Sequence, residues 1–309
     1  MTERKWPMAE ANRLSAMLNR VLGADRFPVQ MEELIRDYSR QCFPASPVTH
    51  ILGEDLPGFE GALVANADRT KWKIIYNSGV RSKGRIRFTL AHEFGHYLLH
   101  RERQNAFNCS QRDMEEWDAE GREIENEADV FGSYLLMPLD DFRQQVGKEP
   151  ISFDLLSHLA DRYGVSMTAA ALKWIEIAER RAVLIAVRDD HLLWARSNQA
   201  AFRSGAVFAT RKRTYAVPVT SLAHSHNSDI LIQKGNLLAQ TWFSSEPKDM
   251  PLTELTFVNE HYDYTLAFLL MPDAVPRWER EEEEDDDPAD RLDGAMREGR
   301  FGGSRLPVA

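Results

Sequence analysis

Within this 309-residue chain, two histidines and a glutamate stand in the order His92-Glu93-Phe94-Gly95-His96. Residues four apart on an α-helix differ by only about 40° around the axis and about 6 Å along it, so both imidazoles reach one ion from one face. Imidazole nitrogens are donors that suit zinc. Glu93 is turned by about 100° from His92. It would therefore sit beside the ion's water rather than on the ion, placed as general base for a metal-assisted hydrolysis. The chain has only nine histidines, so a chance match to this pattern is uncommon, and a helical setting makes it rarer.

A catalytic zinc takes three protein ligands and keeps a fourth position open. A carboxylate from Glu123-Ile124-Glu125-Asn126-Glu127-Ala128-Asp129 would complete a His, His, Glu set if it pointed at the first helix. Glu125 and Asp129 stand at i and i+4 on one face, whereas Glu127 lies nearly opposite Glu125. Glu125 is therefore the expected third ligand. Asp129 is expected to accept the remaining N–H of a ligand imidazole, and Glu123 and Glu127 are expected on a solvated face. His100 continues the four-residue spacing, but a fourth protein ligand would close the site; it is read as a helix-end histidine favoured by the dipole. Cys109, between the two helices, is not read as a ligand.

These residues require two facing helices. Ile86, Leu90, Phe94 and Tyr97 recur at three- and four-residue steps and predict a helix over 84–100, one face inward. A second helix is predicted over 120–136, ended by Pro138, with a polar loop over 102–115 between them. Upstream, helices are expected over 10–22 and 28–38. A β-hairpin follows over 61–66 and 72–77, its outer strand either an edge for an extended substrate or purely structural. Downstream, a helix starts near Ser152, breaks at Gly164 and is followed by another from Ser166. From Ala182, the runs AVLIAV, HLLWAR, RTYAVPV, ILIQ, AQTWF, LTELTFV and YTLAFLL predict antiparallel strands, with Asp189-Asp190 as the first tight turn. Trp72, Trp174, Trp194 and Trp242 are expected in cores.

The run RIRFTLAHEFGHYLLH, followed about thirty residues later by ENEADVFGSYLLMP, resembles the ImmA/IrrE family of bacterial and phage zinc metallopeptidases. That family's pattern is an HExxH helix and then a helix reading ExxA(N/D)xFxxxLLMP. His92 and His96 fall on its histidine ligands, Glu93 on its catalytic glutamate, Glu125 on its third ligand and Asp129 on its Asn/Asp position. Gly132 departs from the usual alanine. The resemblance implies cleavage of partner proteins, often helix-turn-helix repressors, in regulated proteolysis linked to stress response or mobile-element induction.

The expected fold class is α+β. A mostly helical, zincin-like catalytic domain with a short β-hairpin covers 1–180, a small antiparallel β-rich accessory domain 181–275, and a disordered acidic tail 276–309. Residues 277–309 hold eleven acidic and six basic side chains, which accounts for half of the formal net charge of −10. This balance argues against direct nucleic-acid binding. No apolar run approaches the roughly 20 residues that span a bilayer, and the N-terminus lacks a secretory apolar core. Cys42 and Cys109 are too few for a disulfide framework. The reading is a cytoplasmic zinc-dependent endopeptidase of narrow specificity that cleaves a partner regulatory protein such as a helix-turn-helix repressor. Its rival is a catalytically silent zinc-bound regulator that sequesters its partner, which would have no need to keep Glu93.

Overall fold

The computed structural model describes residues 6–55, 58–109, 119–224, 231–259 and 263–275; the tail expected over 276–309 lies outside them. The chain divides into two compact units between Lys173 and Trp174. Among the described residues the class is α+β, with eight α-helices and two largely antiparallel sheets. No helix among them is long and apolar enough to cross a membrane.

In the first unit, Pro7 opens α1 (Pro7–Leu22), where its missing N–H would have had no helical partner. α2 (Met31–Cys42) begins and ends a few residues later than the sequence suggested, with Glu32 and Glu33 in its first turn where the helix dipole favours them. The first sheet contains β1 (Val48–Glu54), β2 (Gly61–Ala65), β3 (Trp72–Asn77) and β4 (Ala106–Cys109). Its order is β1-β3-β2-β4. β2 and β3 form the expected hairpin, paired from Gly61↔Tyr76 to Ala65↔Trp72. β1 runs parallel to β3, and β4 antiparallel to β2. Both hairpin strands are therefore interior, and the hairpin does not supply the edge considered above. Among the described residues the sheet ends at β1 and β4 instead. β4 falls in the segment read as a polar loop, where four residues are too few to show an alternation.

α3 (Lys83–Leu99) starts at Ser82, whose hydroxyl accepts from the Arg85 N–H at 3.3 Å. Every side chain from Thr89 to Leu98 is buried. The helix is thus enclosed all round rather than on one face, because it lies against β2 and β3 as well as against α4 (Ala119–Leu136). Phe94 meets Tyr38 and Phe131 edge-on, and Tyr97 meets Trp72 in the same way. Close helix contact depends on Gly95, where a Cβ would stand 3.0 Å from the Phe131 ring and 3.2 Å from the Ala128 Cα.

Pro138 ends α4 as expected, yet it also serves as the residue before α5 (Leu139–Val146), a helix the sequence reading missed. α6 (Phe153–Tyr163) closes at Gly164 with a left-handed φ of 59°, and α7 (Met167–Ile177) follows. Asp141 locks α5 to α6, accepting two 2.8 Å hydrogen bonds from Arg162 and one of 2.6 Å from the Tyr163 hydroxyl.

The second unit carries β5 (Ala182–Arg188), β6 (His191–Ser197), α8 (Gln199–Arg203), β7 (Ile232–Leu238), β8 (Pro251–Asn259) and β9 (Tyr264–Leu270). The strands form an antiparallel sheet of order β6-β5-β9-β8-β7. Asp189 and Asp190 both have positive φ and make the tight β5–β6 turn. Two expected strands are absent. RTYAVPV touches the sheet only through the His191↔Ala216 bridge, and AQTWF is a short 3-10 turn that delivers Trp242 and Phe243 to the core. α8 was not anticipated. Trp72 and Trp242 are buried as expected, while Trp174 and Trp194 are half-buried.

Candidate metal centre

α3 and α4 bring His92, His96 and Glu125 to one point. His92 Nε2 lies 3.0 Å from His96 Nε2 and 3.0 Å from Glu125 Oε2, and His96 Nε2 lies 3.3 Å from Glu125 Oε1. Ligand atoms at about 2.0–2.1 Å from a tetrahedral ion stand about 3.3–3.4 Å apart. The two Nε2 atoms and the two carboxylate oxygens facing them are thus spaced as ligands around one such site, slightly contracted, and the donor set of two imidazoles and a carboxylate fits zinc chemically. Among the described residues no second group of three or more such side chains brings its ligand atoms to one point.

The electrostatics are those of tightly interacting groups. Burial opposes charge on His92, but hydrogen bonds with Asp129 and Glu125 outweigh it and push its pKa up to about 10. Burial prevails at His96 and pushes it down to about 4. Burial would raise Glu125, yet its contacts with both imidazoles hold it down to about 2. Titratable groups driven this far apart within one small cluster mark functional sites more often than packing.

Asp129 takes the expected place, its Oδ1 2.9 Å from His92 Nδ1 and its side chain half-exposed. Glu93 follows His92 on α3 and is completely buried. Above it lies the start of β2, where a Cβ on Gly61 would fall 2.7 Å from Glu93 Oε1 and 2.5 Å from Thr89 Cγ2. Only a glycine lets the strand lie so close to the glutamate without displacing a side chain. A lone glycine opening a strand was the one sequence signal for this, and it was not used.

One expectation is overturned and another is borne out only in part. Glu127 is not on a solvated face: it is buried, with Oε2 2.9 Å from His100 Nε2. His100 does end α3, as expected, and lies outside the converging group, but it is fully buried, with Nδ1 3.1 Å from His96 Nδ1. The physical reason lies in the helix contact. Ala128 faces Gly95 and Gly132 faces His92, so α3 and α4 run antiparallel. On α4, Glu125 and Glu127 stand roughly 60° and 100° to either side of Ala128. Both flanks of the contact line reach α3, Glu125 toward the histidine pair and Glu127 toward His100. Glu123 is exposed, as expected. Cys109 lies in β4 rather than in a loop, paired through its backbone with Gly61. Phe107 of the same strand stacks on the His96 ring with centroids 4.6 Å apart.

Residues 49–174 match the model of the IrrE N-terminal-like domain, peptidase family M78. That stretch, under half of the chain, holds α3, α4 and every residue of the cluster. Its class is that of a metal-dependent peptidase domain. The match supports an ImmA/IrrE-type metallopeptidase domain over those residues. No curated protein matches the chain.

Proposed function

We propose that this protein is a cytoplasmic zinc-dependent endopeptidase of narrow specificity, in which His92, His96 and Glu125 hold the metal and Glu93 is the general base. The observation that carries this reading is the convergence of the two imidazole Nε2 atoms, 3.0 Å apart, on the Glu125 carboxylate, with one oxygen 3.0 Å from His92 and the other 3.3 Å from His96, beside the buried Glu93 on the helix of the histidines. When bound, zinc would supply a Lewis acid that lowers the pKa of water toward about 7 and polarises a peptide carbonyl. Glu93 takes the proton of the attacking water and returns it to the leaving amine. Gly61 admits β2 close enough to confine the Glu93 side chain, and Asp129 holds the His92 ring through Nδ1.

An extended substrate would add to the edge of β4, the strand whose Phe107 packs on His96. The match to a peptidase domain supports a protein substrate, and we take it to be a partner regulatory protein such as a helix-turn-helix repressor, cut in a stress-linked response. In this reading residues 1–180 are a zincin-like peptidase domain and 181–275 an accessory domain that governs substrate choice. The test mixes zinc-loaded protein with candidate repressors and with denatured unrelated proteins. Cleavage confined to few proteins and abolished in Glu93→Gln is expected. Free digestion of the denatured set would remove narrow specificity, and partner binding without cleavage would put sequestration in its place.

A further inference from the structure

Behind His96, on the side away from the converging donors, three side chains form a line. His96 Nδ1 lies 3.1 Å from His100 Nδ1, and His100 Nε2 lies 2.9 Å from Glu127 Oε2. His96 and His100 are completely buried and Glu127 is nearly so. Phe107 packs on both rings, with centroids 4.6 Å from His96 and 6.1 Å from His100.

A carboxylate only accepts, so the proton between Glu127 and His100 belongs to His100 Nε2. A neutral imidazole has one N–H, which leaves His100 Nδ1 as an acceptor. The proton between the two rings then belongs to His96 Nδ1, and His96 Nε2 presents a bare lone pair to His92 and Glu125. We propose that Glu127 and His100 are positioning residues that fix the tautomer and ring angle of His96 for metal binding. The inference rests on the zinc reading above and deepens it. His92 obtains the same service from the half-exposed Asp129, so the two ligand rings are oriented by unlike devices, one open to water and one sealed. Sealing matters, because no water can replace the acceptor if His100 is lost.

The test measures zinc affinity by competition with a chromophoric chelator, the absorption spectrum of the cobalt-loaded protein, and the melting temperature of the metal-free protein. His100→Phe keeps a buried ring without an acceptor; Glu127→Leu removes the far end of the line; Glu127→Gln keeps a carbonyl that accepts. Loss of an orienting partner typically weakens metal binding by about 10–100-fold. That loss is expected in His100→Phe and Glu127→Leu, with an altered cobalt spectrum, while Glu127→Gln stays near wild type. Wild-type affinity and spectrum in His100→Phe would overturn the proposal. Should that variant not fold, equal affinities in Glu127→Leu and Glu127→Gln would overturn it instead. If wild type itself takes up no zinc, the underlying reading falls; if wild type binds zinc and the variants bind it equally, only the positioning role falls.

Discussion

Both units bury charged side chains, and they use them differently. In the second unit Arg181 and Glu246, each 1% exposed, pair with one another, and the Arg181 guanidinium also donates to the Pro272 carbonyl. Glu254, fully buried, accepts from the Ser221 hydroxyl at 2.7 Å and from the Leu222 and Ala223 N–H groups at 3.2 and 3.3 Å. Those groups close on one another. In the first unit the buried His92 and His96 and the partly buried Glu125 turn their donor atoms toward one shared point, while Asp129 contacts the first ring and His100, backed by Glu127, the second from behind. A buried pair that cancels itself stabilises or specifies a fold, whereas a cluster whose potential ligand atoms meet at one point is the arrangement that the metal reading proposed above requires.

The largest expected effect sharpens that contrast. Glu93→Gln should lower proteolysis by about 10²–10⁴-fold, the range for a lost general base, while zinc content stays at the wild-type level. Near-wild-type cleavage would show that the proton is handled elsewhere. In the second unit, Glu246→Leu leaves the Arg181 charge buried without its carboxylate and should destabilise that unit by about 3–5 kcal/mol, with zinc content unchanged. Chemical denaturation followed at Trp242 would read it, and a shift under 1 kcal/mol would mean that Arg181 finds water.

Two buried carboxylates should respond to acid with opposite signs. Burial raises Asp141, but Arg162 and Tyr163 outweigh it and leave its pKa below the ordinary 3.8. Its stabilisation is therefore present above that value and lost as pH falls through the lowered pKa. The stability gap between wild type and Asp141→Asn should close below about pH 3.8. Burial prevails at Glu254, raised above the ordinary 4.5. Its contribution is complete below 4.5 and declines as pH rises through the raised pKa. Glu254→Gln should therefore fare worse against wild type as pH is lowered from 7 toward 4.5. Parallel pH profiles of melting temperature for the two variants would contradict the distinction.

The smallest effect concerns Gly132. A Cβ there would stand 3.4 Å from the His92 nitrogen and 3.6 Å from Ala91 atoms, ordinary contact, so the backbone has room for alanine. Gly132→Ala should stabilise the first unit by up to about 1 kcal/mol through helix propensity. Destabilisation would show that α4 approaches α3 too closely for a methyl group.

The convergence of His92, His96 and Glu125 was legible because it depends on angles along single helices, which sequence spacing specifies. Gly164 and the Asp189-Asp190 turn were legible for a similar reason, since each is a local backbone signal. Glu127 and His100 were not, because their meeting depends on which line of α4 lies against α3, set by Ala128 against Gly95. β4 escaped because its pairing with β2 is a non-local event and four residues show no periodicity. RTYAVPV has β-prone side chains, but Pro218 removes a donor, and only one bridge to β6 forms.

The most direct test of the central claim is zinc content per chain in wild type, His96→Ala, Glu125→Gln and Glu93→Gln. The account predicts about one zinc in wild type and in Glu93→Gln, and a large loss in the two ligand variants. Full zinc in Glu125→Gln would contradict the assignment of the third ligand, and none in wild type would contradict the metal centre itself.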